Sequence, residues 1–224
     1  IAALDGVEEL YITTNGARLS EMAGELRRAG VRGVNISLDS LKPDRYREIT
    51  GTGELSRALA GLDAALAAGF ERVKINTVLL GGVNDDEIPD FVELTRNRPV
   101  EVRFIELMPI GPCAAWPSER FLAAQAVLDR CPGLEAVDRS GVAQRYRMPG
   151  YVGLVGLIRP ITGCFCAACD RIRVTSDGML KPCLHGRDEI SLRGLKGDAL
   201  REAIARGILL KPRAHALDEG ASQS

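Results

Sequence analysis

The chain has 224 residues, 46% of them apolar and 26% charged, with a formal net charge of −1; this is enough for one large domain, or one and a half, around a substantial core. The balanced charge and 4% aromatic content argue against a nucleic-acid partner, which calls for a basic surface and stacking platforms. No apolar run approaches the roughly 20 residues that cross a bilayer and no export signal is visible, so the expectation is a cytoplasmic enzyme with no membrane partner.

The chain starts at Ile1 within IAALDGVEEL, a stretch that reads as helical, so the sequence reads as a fragment with upstream residues missing. Four β-rich runs follow, EELYITTNG, GVNISLD, RVKINTVLL and VEVRFIELMP. Amphipathic stretches alternate with them. One runs from about Leu19 to Arg28, and another puts Leu55, Leu59, Leu62 and Leu66 on one helical face. Gly30 and Gly69 are placed to end these helices. Consecutive βα units predict an α/β fold with a parallel sheet, part of a (β/α) barrel of the TIM type, in which the strand C-termini carry the site.

Polar residues sit at those strand ends: Thr13, Ser37, Asp39, Lys74 and Arg103, with Asn76 beside Lys74 and Met108 after the fourth strand. Each has a plain structural reading. Thr13 and Ser37 can satisfy backbone groups, Lys74 can snorkel to the rim, and Met108 can fill core. Together they predict a polar cavity, since a buried Lys or Arg without a partner is costly.

After MPIGPCAAWPSER the pattern changes. A helix over about PSERFLAAQAVLDR is followed by β-like segments at AQRYRMP and YVGLVGLIRPI, a cysteine hairpin, a helix from Asp198 to Arg206, and a polar tail, ALDEGASQS. This predicts a smaller C-terminal unit with a boundary near residues 110 to 117, dividing the chain into 1–112 and 113–224.

The hairpin holds Cys166, Cys169 and Cys183, spaced C-x2-C-x13-C within FCAACDRIRVTSDGMLKPCL. Two close cysteines on a turn, joined by a third after a hairpin, can set three sulfurs on one small inorganic centre. Three thiolates suit a four-iron, four-sulfur cluster with one open iron. His185 leaves a zinc-stapled Cys3His binding module as the alternative. Cys113, Cys131 and Cys164 follow no ligand spacing, and a chain of this size without a signal peptide has little need of disulfides. Cys131 reads as an apolar filler and Cys113 as a loop thiol.

Directly after Cys169, the run Asp170-Arg171-Ile172-Arg173-Val174 alternates as in a half-buried strand. Both arginines then point one way while Ile172 and Val174 face a core. Paired guanidinium groups beside a metal centre suggest a phosphate site. The competing reading is two solvated arginines neutralised by Asp170 and Asp177.

TTNG, NISLDSL, KIN followed by NDDEI, RFIELMP with a downstream Trp116, and above all the cysteine stretch together resemble the MoaA family of GTP 3′,8-cyclases, radical S-adenosylmethionine enzymes that open molybdenum cofactor biosynthesis. The resemblance covers nearly the whole chain. It implies a partial (β/α) barrel of the radical SAM type with a smaller C-terminal Fe–S unit and two [4Fe–4S] clusters. The N-terminal cluster reduces S-adenosylmethionine to a 5′-deoxyadenosyl radical, and the C-terminal one binds the purine of GTP. The radical takes the ribose 3′ hydrogen, and the sugar carbon attacks C8 of guanine. Carried over by position, Cys166, Cys169 and Cys183 would ligate the C-terminal cluster. Thr13, Lys74, Arg171, Ile172 and Arg173 would bind GTP, and Ser37 and Met108 would line the S-adenosylmethionine site. Arg103 is added to the GTP set from its place in the fourth strand. The partners implied are GTP, S-adenosylmethionine and an electron donor, with a possible homodimer.

Three departures stand out. The C-x3-C-x2-C motif of the radical-generating cluster is absent, so the fragment alone is expected to be inactive. Asp170 stands where the family has Asn, adding a negative charge beside Arg171. The family's Gly-Gly tail is replaced by GASQS, which reads as truncation or divergence. Another radical SAM enzyme with an auxiliary cluster is the remaining alternative within the enzyme class.

Overall fold

A computed structural model describes residues 1–163 and 165–214. Two compact units emerge: Ile1–Leu107 with Pro117–Thr162, and Met108–Trp116 with the chain from Gly163 onward.

The first unit is built on a seven-stranded sheet. The strands β1 (Tyr11–Thr14), β2 (Gly33–Ser37), β3 (Arg72–Leu79) and β4 (Val100–Glu106) lie side by side in parallel, as their alternation with helices requires. Between them run α1 (Leu19–Arg28), α2 (Pro43–Thr50), α3 (Leu55–Ala67) and α4 (Ile88–Glu93). β7 (Leu154–Ile158) pairs in parallel with β4, and β6 (Ala143–Arg147) and β5 (Glu135–Ser140) extend the sheet as an antiparallel meander. The order is β1-β2-β3-β4-β7-β6-β5.

Parallel register gives the sheet two different faces. One carries Val34, Ile36, Ile75, Val102, Phe104 and Leu157, all essentially fully buried, and forms the core with the helices. Gly61 of α3 permits close packing there: a Cβ on it would fall 2.2 Å from the carbonyl oxygen of Gly16. The helix is thereby seated on the turn that ends β1, where Thr14 Oγ1 accepts the Gly16 N–H at 3.1 Å.

The NDDEI segment after β3 is a clasp. Asn84 accepts the Leu80 N–H and donates to the carbonyls of Asp39 and Val78, at 2.8–2.9 Å. Glu87 is fully buried. It accepts from Ser40 Oγ at 2.8 Å, the Leu41 N–H at 2.6 Å and Arg45 at 2.5 Å, which satisfies a carboxylate that burial would otherwise penalise.

Two sequence expectations fail here. Residues 2–6 form turns and 7–10 run on as irregular chain, not as a helix. The helix expected over residues 117–130 is split into a 3₁₀ turn at Ser118–Arg120 and α5 (Gln125–Arg130). The helical bond from the Ala124 N–H to the Arg120 carbonyl is lost at both ends. Ala124 donates instead to the buried carboxylate of Glu106 at 3.0 Å, and the Arg120 carbonyl accepts from Gly81 at 2.9 Å. Glu106 also accepts from the N–H groups of Ile161 and Thr162 at 3.1 and 2.9 Å, fixing the segment that leads into the cysteine region.

The second unit contains a three-stranded antiparallel sheet in the order β10-β9-β8, made of β8 (Arg173–Val174), β9 (Met179–Lys181) and β10 (Ile190–Ser191). The helix α6 (Gly197–Leu209) packs on it through Leu180, Ile190 and Ala203. Cys164 and the expected tail ALDEGASQS lie outside the described residues.

Candidate functional site

The second face of the first unit's sheet is polar, and register sets its residues in rows. Thr13, Asn35, Lys74 and Glu101 stand in one row, and Ser37, Asn76, Arg103 and Gly156 in the next. Thr13, Ser37, Lys74 and Arg103 therefore share a face; Thr13 and Ser37 stand at the C-terminal ends of β1 and β2, while Arg103 lies in the middle of β4 and Lys74 near the start of β3, short of the strand end expected for it.

Within the first row, Asn35 Nδ2 donates to Thr13 Oγ1 at 3.2 Å. The Lys74 ammonium lies 5.2 Å from the centre of the Tyr11 ring, a cation–π distance. Gly33 lets that ring cross the neighbouring strand, since a Cβ there would be 2.5 Å from Tyr11 Cε1. Half-buried Lys74 has its pKa pulled below the ordinary lysine value, first by burial and then by repulsion from Arg103.

Arg103 Nε donates to Glu101 Oε1 at 2.6 Å, with both side chains about nine-tenths buried. The pair lies over Gly156, whose missing Cβ would sit 3.1 Å from Glu101 Oε1 and 3.2 Å from Arg103 Cγ. Arg103 thus has a partner, while its two terminal nitrogens make no hydrogen bond among the described residues. Asn76 Oδ1 is buried and lacks a hydrogen-bond partner among the described residues, which leaves an acceptor in the second row for a donor-bearing ligand. Asp39, at the end of β2, accepts the Val78 N–H at 2.7 Å, and burial still raises its carboxyl above the ordinary range.

Asn76 lies on this face with Lys74, as the strand pattern anticipates, whereas Glu101 and Tyr11 belong to it without being among the expected polar residues. Glu101 was legible in principle, because in VEVRF it is two residues from Arg103 and must share its side of the strand.

In the second unit Cys166 opens a 3₁₀ turn, Cys166–Ala168, and the Cys169 N–H donates to the Cys166 carbonyl at 3.1 Å. β8 and β9 then pair with Arg173 opposite Lys181. The hairpin turns at Gly178, whose φ of +82° only glycine adopts freely. Continued outward, that register sets Arg171 against Cys183. The chains are still adjacent there, since the carbonyls of Arg171 and Pro182 accept from one ammonium, Lys211 Nζ, at 2.5 and 3.3 Å.

Cys169 and Cys183 are half-buried free thiols. A pocket at this place is lined by Pro182, Cys183, His185, Asp188, Leu210 and Pro212. His185 Nε2 lies 3.1 Å from Met108 Sδ, so Met108 sits in this unit and Ser37 in the other.

The expected burial of Ile172 and Val174 is corrected: they are 38% and 60% exposed. β8 is only two residues long and lies at a sheet edge, so it has no second layer to face. Arg171 and Arg173 are exposed, and Asp177 pairs with Arg193 at 3.3 Å instead of with them. No ion pair to either arginine occurs among the described residues.

As a donor set, three thiolates carried by one turn and the returning end of a hairpin suit an iron–sulfur cluster, which takes soft sulfur ligands. Among the described residues, no three His, Cys, Asp or Glu side chains are gathered as an ion site. None of the helices described is long and apolar enough to cross a membrane.

Residues 1–95 match the Radical SAM superfamily, and residues 100–217 match Molybdenum Cofactor Synthesis C. The chain is 46% identical over 222 residues to a GTP 3′,8-cyclase of Alkaliphilus oremlandii, covering 97% of this chain and 69% of that protein. It is 46% identical over 226 residues to a GTP 3′,8-cyclase of Peptoclostridium acidaminophilum, with coverages of 98% and 70%. A Geobacter sulfurreducens protein of the same name is 44% identical over 227 residues, with coverages of 97% and 69%. The parallel run of β1 to β4 with intervening helices is the partial (β/α) architecture that such a match requires. The chain belongs to the GTP 3′,8-cyclase family of the radical SAM superfamily.

Proposed function

We propose that the protein is a lyase that converts GTP to 3′,8-cyclo-7,8-dihydro-GTP, the first step of molybdenum cofactor biosynthesis, in the cytoplasm and with S-adenosylmethionine and an electron donor. The observation that carries this reading is the hairpin: exposed Arg171 and Arg173 follow Cys169, and the returning strand, with Lys181 paired to Arg173, leads two residues on to Cys183.

Cys166, Cys169 and Cys183 would hold a [4Fe–4S] cluster, which when bound supplies an open iron for the guanine of GTP. Arg171 and Arg173 would take the triphosphate as a pair of charge-assisted donors, with the Ile172 backbone. Thr13, Lys74 and Arg103 would add donors to GTP from the polar face of the sheet. Ser37 and Met108 would contact S-adenosylmethionine, and the unsatisfied Asn76 Oδ1 beside Ser37 suits a hydroxyl or amine of that ligand. Residues for a second, radical-generating [4Fe–4S] cluster are not among these 224, since no C-x3-C-x2-C occurs in them.

A functional division into residues 1–112 and 113–224 belongs to this reading, although by packing β5 to β7 join the first sheet. A homodimer is the proposed assembly. The test is anaerobic reconstitution of the chain with iron and sulfide, followed by GTP and guanosine titration. Iron with acid-labile sulfide and a preference for GTP support the reading. Uptake of zinc alone would replace it with a zinc-stapled binding module.

A further inference from the structure

We infer that Lys211 is a positioning residue that holds the two flanks of the cysteine hairpin together, an inference that rests on reading Cys166, Cys169 and Cys183 as cluster ligands. β8 and β9 pair at Arg173–Lys181 and Val174–Leu180, and toward the turn the Thr175 N–H donates to the Met179 carbonyl at 2.9 Å. Among the described residues the pairing goes no further toward the cysteines, and Pro182 follows Lys181 on the returning strand. Beyond that point, among the described residues, no hydrogen bond between the strands holds Arg171, two residues after Cys169, beside Pro182, the residue before Cys183.

Lys211 replaces the missing rungs. Its ammonium donates to the Arg171 carbonyl at 2.5 Å and to the Pro182 carbonyl at 3.3 Å, two charge-assisted bonds from one group.

The placement of Lys211 is built into the unit. α6 packs on the hairpin through Ala203 against fully buried Leu180 and Ile190. Gly207 allows the approach, since a Cβ there would lie 2.3 Å from Leu180 Cδ2. The helix then ends, with the N–H groups of Leu210 and Lys211 donating to Arg206 and Ile208, and Pro212 follows. Lys211 therefore leaves a helix end that is itself anchored to the middle of the hairpin. It reaches the carbonyls that flank the second and third cysteines.

The side chain has a second consequence. A cluster on three thiolates carries net negative charge, and a fixed ammonium beside its ligand segments favours the more negative, reduced state.

The full chain, reconstituted anaerobically, tests this with Lys211→Met, Lys211→Gln and Lys211→Arg. Two quantities are read: the rate of iron loss to a chelator and the midpoint potential of the cluster. Lys211→Met should lose iron on the order of ten-fold faster than the native chain, the usual consequence of removing an outer partner of a metal site, and should show a lower potential. Lys211→Gln, which keeps an amide NH2 donor without the charge, should fall between. Lys211→Arg, which keeps both donors and charge, should restore most of the retention. Native retention and potential in any folded Met or Gln variant would overturn the inference. A native chain that holds no iron would instead refute the cluster reading, and this inference with it.

Discussion

Arg103→Met would leave the Glu101 carboxylate about nine-tenths buried and without its 2.6 Å partner. Breaking a buried pair from one side typically costs about 3 kcal/mol or more, because the remaining charge has lost its compensation. One neighbour can blunt the loss. Lys74 stands directly opposite Glu101 in the β3–β4 register, so the ammonium can turn toward the orphaned carboxylate, and the low end, about 3 kcal/mol, is the expected cost. For a folding unit of this size that lowers the thermal midpoint by roughly 6–12 °C. Removing both charges in Glu101→Met/Arg103→Met should recover most of the loss, since apolar replacement of a whole buried pair is often close to neutral. The assay is thermal unfolding of the native chain, the two single variants and the double, closed as a mutant cycle. A side-chain NMR titration should also find the Lys74 pKa moving back up in Arg103→Met, because the repulsion that lowers it is gone while Glu101 remains. An Arg103→Met variant within about 0.5 kcal/mol of the native chain, or a cycle without coupling, would refute the reasoning.

Lys74→Met should stabilise the fold while weakening GTP binding. The native lysine has a folded pKa below 10.5, so folding releases a proton from it, and native stability should rise as pH climbs from the lowered folded value toward 10.5; the variant should lack that slope in denaturant unfolding. Gly61→Ala should destabilise by about 1–3 kcal/mol, because the new Cβ meets the Gly16 carbonyl at 2.2 Å. Helix propensity alone predicts the opposite sign, so a more stable variant in urea unfolding would show that α3 is not seated as described. Arg173→Ala should weaken GTP binding far more than guanosine binding, and equal losses in calorimetry would reassign that arginine to a structural role.

The strands β1 to β4 and the helices α1 and α3 were legible from β-rich runs alternating with amphipathic helical periods, with Gly30 and Gly69 ending the two helices, and parallel register then follows from the βα alternation. Short or weakly patterned elements were not. α2 and α4 are eight and six residues long, and β5 is exposed at five of its six positions, so it carries no alternation to read. The helix expected across 117–130 looks continuous in sequence, and only the distant carboxylate of Glu106 and the Gly81 N–H explain its break.

The same contrast holds at the site. Thr13, Ser37, Lys74 and Arg103 could each be assigned to its strand from the pattern, but that the four share one face follows from the parallel register. The role of Lys211 rests on hydrogen bonds to residues 40 and 29 positions away, which no local pattern announces. Ile172 and Val174 alternate as a buried strand does, yet a two-residue edge strand offers them no core.

The activity turns most directly on what Cys166, Cys169 and Cys183 hold. Iron and acid-labile sulfide should be counted per chain after anaerobic reconstitution, in the native protein and in Cys183→Ala. The account predicts about four irons and four sulfides per native chain, with EPR of a reduced four-iron cluster, and near-complete loss of both in the variant. Native-level iron in Cys183→Ala, or a native chain that takes up one zinc and no sulfide, would contradict it.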